Sequence, residues 1–124
     1  MMRAWLLVAA VVGFLSVAAG AAAAHLAAGE QAATLLRSGA LYGMVHAAAL
    51  LGVTALARGG RRIGLALTIA GWSFAAGAVL FSTSLFALAL AGGKWPGMIT
   101  PFGGVGLLTG WASLALHALS RANT

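Results

Sequence analysis

Apolar residues dominate four long stretches of the chain, separated by short polar punctuation. About 20 apolar residues are needed for a helix to cross ~30 Å of hydrocarbon. Segments near that length run over about 4–28, 39–57, 63–90 and 103–120. The pattern predicts an all-α membrane protein, a single domain of four transmembrane helices over residues 1–124. Glu30, Gln31, Thr34, Arg37 and Ser38 mark the first connection and Arg58-Gly-Gly-Arg-Arg62 the second. Ala91 to Gly97 break the third segment, and Met98 to Phe102 are apolar but carry Pro101. Pro101, Gly103 and Gly104 therefore predict a re-entry element, because proline lacks a backbone donor and glycine permits a tight return into the last helix. Thr100 is placed to cap that helix.

Composition narrows the chemistry. Hydrophobic residues make up 62% of the chain and charged ones 6%, far from the quarter expected of a soluble domain. No cysteine is present, which removes thiolate nucleophiles, cysteine-ligated metals and thioether-attached haem. Glu30 is the one acidic side chain, so mechanisms built on paired carboxylates are excluded. The net charge of +6 comes from basic residues at the ends of the apolar segments, not from a cluster with interleaved aromatics. It reads as membrane flanks, and no nucleic-acid partner is expected.

With four spans, the N-terminus, the second connection and the C-terminus share a side. That side holds Arg3, Arg58, Arg61, Arg62 and Arg121, against Arg37 and Lys94 on the other, where Glu30 also lies. Retention of Lys and Arg on the inner side predicts that both termini are cytoplasmic. Arg3, the apolar run from Trp5 to Phe14 and the small residues Ala21 to Ala24 also fit a cleavable leader. The unbroken apolar stretch to Ala28 is long for one, so a retained first helix is expected.

In lipid, glycine and alanine let helix backbones approach closely. Gly39-x-x-x-Gly43 and Gly106-x-x-x-Gly110 are candidate helix-packing or interface faces. Polar side chains at membrane depth are costly and mark sites. On the predicted boundaries His46 lies seven residues into its helix, about 10 Å below the outer end. Tyr42 is one turn above it, and Ser82 and Ser84 lie at similar depth. With His25 and Thr100 they make a candidate polar cluster in the outer half, while His117 falls near the inner end. Trp95 suits an interfacial anchor and Trp111, about two turns into the fourth helix, a packing or lipid-facing role.

The segments GAAAAH (Gly20 to His25), LYGMVHAAALL (Leu41 to Leu51), FSTSLFALAL (Phe81 to Leu90) and, after Trp95, ITPFGGVGLLTGW (Ile99 to Trp111) resemble the domain of unknown function 423 family. These are YgdD-like small bacterial inner-membrane proteins, similar to transmembrane protein 256. Members often read GAFGAH and FSGSLY, so Thr83 replaces a glycine and Phe86 a tyrosine here. The resemblance implies four helices in a bacterial inner membrane and carries no activity, substrate or catalytic residue.

Three functional readings follow. The first is a non-enzymatic accessory or assembly subunit, without cofactor, packing in the bilayer against itself or a larger membrane complex. The second is a small transporter or channel with an outer cavity lined by His25, His46, Ser82 and Ser84. The third is a membrane subunit whose His25 and His46 ligate haem.

Overall fold

The computed structural model describes residues 1–122. It contains four helices, α1 (Met2–His25), α2 (Glu30–Gly59), α3 (Leu65–Ala91) and α4 (Trp95–Ala122), and no strand among the described residues. All four are long and apolar enough to span a membrane.

α1 buries Trp5, Ala9, Val12, Ser16, Ala19 and Ala23, a strict alternation of three- and four-residue steps. α2 answers with Ala33, Leu36, Ala40, Gly43, Ala47, Leu50, Thr54 and Ala57 in the same rhythm. A repeat of 3.5 keeps one narrow seam facing its partner, which is how two helices pack at a shallow crossing angle. α3 is buried on more than one side, through Leu67, Ala70, Gly71, Phe74, Ala75, Gly77, Ala78, Ser82, Ser84 and Leu85. It packs on α2, α1 and α4, whereas α2 and α4 flank it and pack far less closely on each other.

Two boundaries differ from the sequence expectation. α2 begins at Glu30, so residues 30–38 are helix and not connection. Their polar side chains Glu30, Gln31, Thr34 and Arg37 are exposed, while Ala33 and Leu36 join Ala19 and Ala23 in a small core. The polar positions mark one helical face, not a break, and Glu30 suits the positive N-terminal end of the helix dipole. α4 begins at Trp95, so Pro101, Gly103 and Gly104 form no re-entry element. Pro96 occupies the first turn, where a missing N–H is harmless. Pro101 lies deeper and is tolerated because it removes only one intrahelical bond, and helices in a membrane can re-satisfy such groups with neighbouring hydroxyls. Thr100 donates to the Pro96 carbonyl at 3.3 Å, an intrahelical contact and not a cap. The α3–α4 turn needs its glycines: Gly92 and Gly93 have φ of +70° and +87°.

Gly103 and Gly106 serve helix contact. A Cβ on Gly77 would lie 2.8 Å from the Leu107 amide nitrogen, and one on Gly106 3.1 Å from the Gly77 Cα. One on Gly103 would collide with the Phe81 backbone, and one on Gly110 with the Phe74 ring. Gly39 and Gly43 likewise receive Phe86 and Ser16, and Gly71 lies under the Trp5 indole. The candidate interface glycines are thus filled from inside the monomer.

Gly77→Val is expected to destabilise the protein by about 1–3 kcal/mol, since its methyls meet backbone that cannot swing away. Gly52→Ala, where an added Cβ meets nothing within 4 Å, is expected to leave stability unchanged. Thermal unfolding of both variants in one detergent measures the contrast.

Candidate functional site

α2 and α4 start at the same end of the bundle and run in the same direction. His46 and Trp111 each lie sixteen residues after Glu30 and Trp95, about 24 Å down the helix at 1.5 Å per residue. This common depth lets the Trp111 Nε1–H donate to His46 Nε2 at 3.0 Å. The other ring nitrogen, Nδ1, lies 2.6 Å from the Tyr42 carbonyl. A carbonyl only accepts and an indole N–H only donates, so the partners specify a neutral imidazole with its proton on Nδ1. Phe74 of α3 stacks edge-on against Trp111 at 5.0 Å between ring centres, and Phe81 lies 4.8 Å from Tyr42. His46 is therefore buried on an aromatic floor with both nitrogens engaged.

This revises the expected depth of His46, which rested on a helix starting at Gly39. It also gives Trp111 a role that sequence reasoning missed, for the same reason: with α4 begun at residue 103, Trp111 was placed two turns down and not at the level of His46.

The other candidate residues separate into different groups. Ser82 of α3 donates to the Gly39 carbonyl of α2 at 2.9 Å. Ser16 of α1 lies beside it across Gly43, wholly buried and with no partner for its hydroxyl among the described residues. Ser84 and Thr100 join α3 to α4 with hydroxyls 2.6 Å apart, each also within reach of a carbonyl of its own helix. His25 is exposed at the end of α1. That end adjoins the start of α2, so His46 lies about 24 Å farther along and the two imidazoles cannot share one iron. No group of three potential metal-ligating side chains occurs among the described residues. The predicted polar cluster is therefore three hydrogen-bonded joints between helices, plus His25 apart from them.

Because α2 and α4 pack only sparsely on each other, a groove opens between them toward the membrane. Trp111 divides it. On the side of the interhelical loops a cavity of about 420 Å³ is lined by Tyr42, Phe81, Pro101, Val105, Leu108 and Trp111. On the side of the termini a larger one, about 940 Å³, runs past Gly52, Leu56 and Gly59 of α2 and Leu114, His117 and Arg121 of α4. Tyr42 and Trp111 are 46% and 45% exposed here, which makes the groove, not a closed core, the place where polar groups meet the surroundings.

Comparison with known proteins places these features in context. Residues 19–104 match the family described as "Protein of unknown function (DUF423)". The chain is 36% identical over 120 residues to the inner membrane protein YgdD of Escherichia coli, covering 94% of this chain and 90% of the relative. It is 36% identical over 121 residues to the membrane protein YwdK of Bacillus subtilis, covering 95% and 98%. No solved structure matches it.

Trp111→Phe keeps the ring but leaves His46 Nε2 buried without a donor, at an expected cost of about 1–3 kcal/mol. Combining it with His46→Phe is expected to cost less than the two single changes added, because the orphaned acceptor is gone. A double-mutant cycle in detergent measures this. The ¹⁵N spectrum of wild-type His46 is expected to show a protonated Nδ1 and a bare Nε2.

Proposed function

The chain belongs to the DUF423 family, and on that premise we propose that it is a non-enzymatic accessory or assembly subunit of a bacterial inner membrane. It packs against a larger membrane complex or a second copy of itself. The observation that carries this reading is the open seam: α4 adheres to α3 and leaves the α2–α4 side unclosed. The loops are only residues 26–29, 60–64 and 92–94, so action on another molecule falls to surfaces within the bilayer. In the loop-side half of the groove the Tyr42 hydroxyl makes no hydrogen bond among the described residues, although the residue is half exposed at membrane depth. An unpaired hydroxyl there favours a partner that supplies an acceptor, which is how polar groups join helices in lipid.

A channel would need its lining residues to face one another along a continuous path. Here Ser82, Ser84 and His46 are each committed to a joint between helices, which favours the accessory reading. We further propose that the end carrying Arg3, Arg58, Arg61, Arg62 and Arg121 faces the cytoplasm, following the retention of positive charge on that side.

Purification from the native membrane in nanodiscs is expected to bring down a larger assembly in fixed proportion. A photo-crosslinking residue at Leu108, in the groove, is expected to capture a component that one at Phe14, on the outer face of α1, does not. Recovery of the chain alone, with no cross-link at either position, would sink the reading. A green fluorescent protein fused to the C-terminus is expected to fluoresce, and a dark fusion that is exported contradicts the orientation.

A further inference from the structure

The larger half of the groove has two ends of different chemistry. Its wall along α2 carries the small residues Ala49, Gly52, Ala55 and Gly59 together with Val53 and Leu56, and its opposite wall carries Leu114 and Ala118 of α4. From Ala49 to Gly59 this apolar wall runs about 15 Å along a helix long and apolar enough to span a membrane. At the end that carries the termini the groove adjoins a second cavity of about 350 Å³ lined by Leu56, Arg62, Leu67, His117, Ser120 and Arg121. Leu56, His117 and Arg121 line both cavities, so the apolar wall and the basic mouth are neighbours. The Arg121 guanidinium reaches the α2–α3 loop, 3.4 Å from where a Cβ on Gly60 would lie. Arg58 and Arg61 are exposed beside that mouth.

Glu30 is the only acidic side chain in the sequence, and it stands at the far end of α2, about 45 Å away at 1.5 Å per residue. The volume, about 940 Å³ before the mouth is added, is in the range of ligand sites. The charge at the mouth is complementary to phosphate, and basic pockets between membrane helices hold anionic headgroups. The walls are complementary to an acyl chain.

We propose that this half of the groove is a binding site for an anionic phospholipid, with its phosphate at Arg62, His117 and Arg121 and an acyl chain along Gly52 and Leu56 as far as Trp111. The site goes beyond the accessory role and does not rest on it. It occupies the half of the groove away from Tyr42, and its test needs no protein partner. An isolated chain without a complex would remove the accessory reading and leave the lipid preference to be measured.

The experiment uses the whole protein in nanodiscs of equal phosphatidylglycerol and phosphatidylethanolamine, released into a native mass spectrometer. Wild type is expected to retain phosphatidylglycerol over phosphatidylethanolamine by about fivefold or more, the discrimination of one well-placed basic residue. Arg62→Gln is expected to bring that ratio toward one while helicity by circular dichroism stays unchanged. Gly52→Phe, which fills the apolar wall from a position with open space around it, is expected to reduce retention of both lipids. Equal retention of the two lipids by wild type overturns the proposal, as does wild-type behaviour of both variants. Gly52→Cys supplies the sole cysteine of the chain. If it forms a disulfide-linked dimer or cross-links to another protein in native membranes, the groove is a protein interface and the lipid assignment fails.

Discussion

The bundle depends on the approach of α3 and α4 to backbone contact at Gly77 and Gly106. In lipid there is no hydrophobic gain from bringing two apolar helices together, so association relies on dispersion contacts and interhelical hydrogen bonds. Both grow with closeness. Glycine at residues 77, 103, 106 and 110 removes the side chains that would hold the axes apart, and Phe74 and Phe81 fill the space beside them. The Ser84–Thr100 pair then falls within hydrogen-bond distance.

The same closeness explains the open groove. α4 gives its close contact to α3 and packs sparsely on α2, so the side between them is left open. The seam is spanned by the Trp111 indole and the His46 ring. His46 is therefore a joint, with Nδ1 at the Tyr42 carbonyl and Nε2 accepting the Trp111 N–H. Function, on this reading, belongs to the groove that the joint holds open.

Charge gives the groove its polarity. Five arginines lie at the end that carries the termini, and the single carboxylate lies at the other. Arg62 and Arg121, two of the arginines behind the proposed orientation, also line the mouth of the pocket, since α2, the α2–α3 loop and α4 all end there. The proposed orientation and the proposed lipid site thus draw on the same side chains.

How much of this was legible in the sequence depends on which physical signal each feature leaves. Four apolar stretches and the distribution of arginine determined the membrane class, the number of helices and which ends lie together, because hydrocarbon thickness and charge burial act on composition alone. Family resemblance was legible in the Ser82 to Trp111 stretch. The helix starts were not: Glu30 to Ser38 look like a loop by polarity, yet Ala33 and Leu36 had a core to enter on α1, and only packing reveals that. Pro101 reads as a break locally, yet α4 runs through it. From sequence, a glycine that faces another backbone is identical to one that faces lipid, so Gly77 and Gly52 were indistinguishable. The tertiary structure alone decided that the first is occupied and the second open. It also brought His46 and Trp111, 65 residues apart, to one depth, because that depth follows from where α2 and α4 begin.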